Sequence, residues 1–76
     1  MRQIFYVRPQ EDRSWVVSRN GHNLVVAPTP DDAVVMGNRI ARKASGGGVA
    51  AELRLAHRDR TYDLYSVFED GRGLDL

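Results

Sequence analysis

Cysteine is absent from the 76 residues, which excludes a disulfide framework, a thiolate zinc site and a thiol nucleophile. Its absence also fits a reducing compartment, and we expect a cytoplasmic protein. Long apolar runs are missing as well. Nothing approaches the ~20 residues of a membrane span, and Met1-Arg2-Gln3-Ile4 does not open a signal peptide, so no membrane partner is expected. Lysine occurs once, against ten arginines, yet ten acidic residues bring the net charge to +1. Such a balance gives little long-range pull on nucleic acid, so any basic surface must arise from local segregation of charge.

Chemistry-bearing side chains are equally sparse. His22, His57 and Asp59 are the only acid–base or metal-binding candidates, and a metal wants three or four ligands on a rigid frame. We expect His57 to end a strand, hydrogen-bonded to Asp59 or to backbone. No serine sits in a nucleophile elbow, and Gly46-Gly47-Gly48 lacks the lysine and following helix of a phosphate loop. We therefore expect no catalytic residues, no cofactor and no metal, and no enzyme.

What is present specifies a fold. Gln3 to Arg8 is a strand rich in β-branched and aromatic residues, and Ser14 to Arg19 is a second. Asn20-Gly21 between it and the next apolar run is a strong two-residue hairpin signal, because both central positions of a type I′ turn need positive φ. A plain register across that turn sets Val17 opposite Leu24 and Trp15 opposite Val26, putting these four on one face toward the core. Val16 and Val25 then fall on the other face.

At Thr29-Pro30-Asp31-Asp32 the pattern changes to a helix. Thr29 suits the cap, Pro30 the first turn, and the two aspartates the positive end of the dipole. From Pro30 to about Ala44, a buried stripe is expected from Ala33, Met36, Gly37, Ile40, Ala41 and Ala44. Gly37 costs ~1 kcal/mol relative to alanine there, so we expect it to permit close approach of helix to sheet. Glu52 to His57 follows as a strand with Leu53 and Leu55 inward. Thr61 to Phe68 is the last strand, with Tyr62, Leu64 and Phe68 on one face and Tyr65 and Val67 on the other. No internal repeat is evident. The expectation is a single α+β domain over residues 1–76, an antiparallel sheet packed on one helix in the order β-β-β-α-β-β, with 69–76 as a mobile tail.

The order of Tyr6-Val7, Trp15-x-Val17 before a glycine turn, Thr29 and Ala33 at the helix entry, Ala41, and His57 followed by Asp59 resembles a family of small bacterial domains with no assigned function. The resemblance runs from about Ile4 to Arg60. It implies an α+β fold of strands around one helix and supplies no site residues. After Arg60 the chain departs from that pattern, because Tyr62 to Phe68 is strand-like.

Two functional readings follow. A sheet with one helix on one side leaves its other side half-apolar, and a second copy of the same face is the simplest cover. We expect a non-catalytic protein-interaction module that self-associates as a homodimer, with Ile4, Tyr6, Val16, Val25, Tyr65 and Val67 at the interface. The alternative is a nucleic-acid-binding module using Arg8, Arg54, Arg58 and Tyr6 on the same open face. Against it stands the low net charge, and pairing of these arginines with Glu52, Asp63 and their neighbours is the simpler expectation.

Overall fold

The computed structural model describes residues 2–69 and 72–73. One helix crosses one face of a six-stranded sheet, an α+β fold. Strands β1 (Gln3–Pro9), β2 (Trp15–Arg19) and β3 (His22–Ala27) form an antiparallel meander, and helix α1 (Pro30–Ser45) follows. Strands β4 (Ala51–Ala56), β5 (Tyr62–Glu69) and β6 (Arg72–Gly73) complete the sheet in the spatial order β3-β2-β1-β4-β5-β6.

The sheet is mixed, not antiparallel throughout. β1 and β4 lie side by side and parallel, Gln3 beside Ala51 and Val7 beside Leu55. The cause is the helix: α1 carries the chain back to the end of the sheet where β1 begins, so the next strand runs as β1 does. Chain order also gains β6, which pairs antiparallel with Phe68 and Glu69. Of the tail expected over 69–76, Glu69 closes β5 and Arg72–Gly73 form β6; the rest lies outside the described residues.

The helix begins as its sequence dictates. Thr29 is extended, and its hydroxyl accepts the Asp32 N–H at 3.1 Å, while Arg42 and Lys43 occupy the last turn. Thr29→Ala should cost about 1 kcal/mol, seen as a lower urea midpoint with an unchanged m-value. Facing the sheet, Ala33, Val34, Gly37, Ala41 and Ser45 are buried, and Met36, Ile40 and Ala44 pack half-buried beside them. Val34 and Ser45 thus join the expected stripe. Under them lie Phe5, Val7, Val17, Ala51, Leu53 and Phe68. A Cβ on Gly37 would stand 2.9 Å from Leu53 Cδ1, so the glycine does bring helix and sheet together.

The β2–β3 and β4–β5 ladders each contain an irregularity that alters which residues face the core. Beyond the Asn20-Gly21 turn, Arg19 pairs His22 and Ser18 pairs Asn23, but Val17 pairs Val25, leaving Leu24 as an extra residue. A one-residue slip moves every following side chain to the opposite face. Val25 therefore packs against the core, whereas Leu24 and Val26, expected inside, are exposed. Trp15 keeps its place, half-buried against the core cluster. β5 does the same: Leu53 pairs Ser66 and Arg54 pairs Leu64, with Tyr65 left over. Phe68 thus faces the helix, and Leu64 the other side with Arg54.

The turns after β1 and β4 share one design. Gln10 N–H donates to Ser14 O and His57 N–H to Thr61 O, both at 2.8 Å. Asp12 accepts the N–H and hydroxyl of Ser14, and Asp59 those of Thr61. The hydroxyl bond, then the backbone bond, hold each carboxyl below its ordinary range. In each turn the next residue, Arg13 or Arg60, is left-handed with φ of 72°, a conformation usual for glycine. The signal is legible as Asp-Arg-Ser at 12–14 and Asp-Arg-Thr at 59–61, a short internal echo that the sequence reading missed.

Candidate functional site

The open face of the sheet, away from α1, gathers the aromatic and arginine side chains singled out from the sequence. Phe5 and Val7 point to the helix, so alternation places Ile4, Tyr6 and Arg8 on the open side, joined by Val16 and Ser18 from β2. Across the parallel seam, Ile4 lies beside Glu52 and Tyr6 beside Arg54; from β5 come Tyr62, Leu64 and Val67.

At its centre Arg54 joins three partners. Its Nη1 donates to the Tyr6 hydroxyl at 2.9 Å, its guanidinium lies 4.4 Å from the centroid of the Tyr62 ring, and its Nε donates to Glu52. The Tyr6 and Tyr62 rings meet edge to face with centroids 6.1 Å apart. Glu52 is buried and also accepts from Arg2 at 3.0 Å, while Arg2 reaches Glu69 at 2.7 Å. Burial alone would push the Glu52 carboxyl up, but the hydrogen bonds from Arg54 and Arg2, with their charges, hold it below the usual range. The face is thus polar at its middle and charge-compensated.

A concavity of about 570 Å³ runs diagonally over this face from the Asn20-Gly21 turn past Tyr6 to Arg60 and Tyr62. Sheet twist accounts for the diagonal course, since it raises opposite corners of a saddle. Around it Tyr62 and Leu64 stand about half exposed, as does Val26 on the far edge.

The structure brings together some of the expected residues and separates others. Tyr6 and Arg54 are in contact and Arg8 is exposed on the same face. Arg58 instead sits in the turn after β4, with Nη2 3.4 Å from the Gln10 carbonyl. Of the expected interface residues, Ile4, Tyr6, Val16 and Val67 lie on the open face, though Val16 is already fully buried there. Val25 belongs to the helix face because of the Leu24 slip, and Tyr65 at the β5 irregularity lines a different groove, beside α1. Arg60 and Tyr62 were missed as members of the face. A strand register that allowed for the irregularity would have found Tyr62.

The histidines are far apart, His22 at the hairpin beside the start of β1 and His57 past the end of β4. His57 Nε2 meets Asp63 Oδ2 at 2.9 Å, so its partner is Asp63 and not Asp59, whose oxygen serves Thr61. Among the described residues no three His, Asp or Glu side chains converge as metal ligands, and no helix is long and apolar enough to cross a membrane. No family model, curated protein or solved structure matches the chain.

Proposed function

We propose that this chain is a non-catalytic protein-interaction module that self-associates through its open sheet face. The observation that carries this reading is the surface of Ile4, Tyr6, Ala56, Tyr62, Leu64 and Val67 left uncovered on the side away from α1. Apolar and aromatic side chains grouped in this way around a charge-compensated centre, on a sheet face that no helix covers, favour an interaction site over chance exposure. Self-complementarity is available in its shape. The exposed Tyr62 and Leu64 at one side can enter the partner's concavity over Tyr6, and a two-fold axis repeats the contact. Charge supports it as well, because Arg54 and Arg2 are compensated by Glu52 and Glu69 and do not repel a second copy.

The same compensation weakens the nucleic-acid reading. Arg54 is committed to Glu52 and Arg58 lies off the face, which leaves Arg8 and Arg60 as too small a cationic surface for phosphates.

Sedimentation velocity from low to high micromolar protein tests the proposal. Dimer should accumulate across that range, and Tyr62→Lys should weaken it at least about tenfold by placing a charge in the contact. A species that stays monomeric throughout rejects self-association.

A further inference from the structure

A second groove, of about 890 Å³, lies on the helix side of the sheet between the C-terminal half of α1 and β5. Its helix wall carries Arg39, Arg42 and Lys43, and no acidic side chain lines it among the described residues. Arg42 lies over the Phe68 ring at 5.7 Å, and the Ser66 hydroxyl donates to Asn38 Oδ1 at 2.5 Å, so helix and strand are bridged at the floor. The opposite wall is β5 itself. Tyr65 is exposed there by more than half, and Leu64, equally exposed, turns from the same strand to the open face, unusual positions for large apolar side chains in so small a domain. β6 pairs only with Phe68 and Glu69, so among the described residues the outer edge from Tyr62 to Val67 has no neighbouring strand.

We infer that this groove takes an extended acidic peptide segment of another protein, added to the outer edge of β5 as a further strand. The edge itself is the first reason: its outward backbone N–H and C=O groups are a template on which a further strand can pair in place of water. Arg39 and Lys43, exposed on the helix wall, are the second, because they select the sign of the partner's charge. Spacing is the third. Arg39 and Lys43 are one helical turn apart, about 6 Å along the axis, and side chains two apart on a strand are separated by about 6.6 Å on one face. An alternating acidic and aliphatic segment therefore turns its acids to the helix and its aliphatic residues toward Leu64 and Val67.

Other occupants fit less well. Pairing β5 with β5 of a second copy places both helices on one side of the joined sheet, cationic flank against cationic flank. A single-stranded nucleic acid would meet the cations and Tyr65 but leave the strand edge unpaired.

The test is fluorescence anisotropy on the full chain with a labelled peptide of about eight residues alternating glutamate and valine, enough to span the free edge. Saturable binding that weakens with salt is expected. Arg39→Glu with Lys43→Glu, both on exposed positions, should weaken it at least about tenfold without changing the thermal melt. Replacing the valines by proline keeps the charge and removes alternate N–H donors, and should abolish binding. Ile4→Lys, in the open-face concavity on β1 and two strands from the β5 edge, should weaken self-association and leave peptide affinity unchanged, so this inference and self-association through the open face fail separately. Equal binding of the proline peptide, or no saturation by the valine peptide, overturns the inference. So does tighter binding of oligothymidylate lost in the same double variant, which assigns the groove to nucleic acid.

Discussion

Gly37→Val should leave no folded domain, and Gly37→Ala should be harmful in the native chain but beneficial once Leu53 is shortened. A Cβ at Gly37 would meet Leu53 Cδ1 at 2.9 Å, Leu53 Cδ2 at 3.2 Å and Val7 Cγ2 at 3.4 Å. Leu53 and Val7 are both fully buried, so neither methyl group has free space to move into. Alanine gains ~1 kcal/mol of helix propensity, but overpacking a filled core costs ~1–3 kcal/mol, so the clash wins. Valine adds two further carbons and forces helix and sheet apart. A domain of this size holds ~4–11 kcal/mol in all, and separating its two layers exceeds what it can lose. Leu53→Ala alone should cost ~2–5 kcal/mol by leaving a cavity beneath the helix. Adding Gly37→Ala to that variant fills part of the cavity and should raise its urea midpoint. The double-mutant cycle decides the point, since additive effects would mean that the two residues do not compete for one space.

Glu52→Gln should destabilise the domain by about 2 kcal/mol at neutral pH, as expected for charge-assisted hydrogen bonds from Arg54 and Arg2 in a buried setting. The effect should vanish in acid. Because the folded carboxyl is held below its ordinary value, Glu52 contributes stability that is fully present above about pH 4.5 and is lost as pH falls through the folded value. Native and Glu52→Gln stabilities should thus converge as pH falls from about 4.5 down through the folded value. Asp12 and Asp59 are held low in the same direction but occur in both proteins, so they cancel in the comparison. A difference that persists at low pH would show that the carboxylate charge is not what binds the network. Glu52→Leu should be worse than Gln, for it strands the Arg54 guanidinium, and Glu52→Leu with Arg54→Leu should recover much of the loss.

Local signals in the sequence were sufficient for the helix and for β1 to β5 to within about a residue at each end, but not for β6. Thr29, Pro30 and the two aspartates sit where capping chemistry puts them, Asn20-Gly21 makes the hairpin, and Gly37 has the close approach expected of it. Pairing of an arginine with Glu52 was legible too, as the ordinary fate of opposite charges on one sheet face. The faces of β3 and β5 were not. Strict alternation assumes no inserted residue, yet Leu24 and Tyr65 are each an insertion made of a commonplace apolar side chain that carries no mark of it. From those points Val25 and Phe68 turn inward, and the expected membership of the open face changes with them. The parallel seam escaped for a different reason. Nothing in Gln3 to Val7 or Ala51 to Leu55 names the other as its partner, because the match depends on where the helix delivers the chain. The groove beside β5 inherits both gaps, since it needs the position of the outer strand and the insertion at Tyr65.

That seam also sets the tempo of assembly. The two hairpins on either side of it form from neighbours in sequence, but β1 finds β4 only after the whole intervening chain, α1 included, has been brought round. Leu53 is buried beside Phe5 and Val7 only once that long loop has closed, so we expect the seam to form more slowly than the hairpins. A nick between Gly46 and Gly48 would cut the chain without touching a strand or the helix. It would leave two fragments, each holding one half of the central pair and each unable to fold without the other.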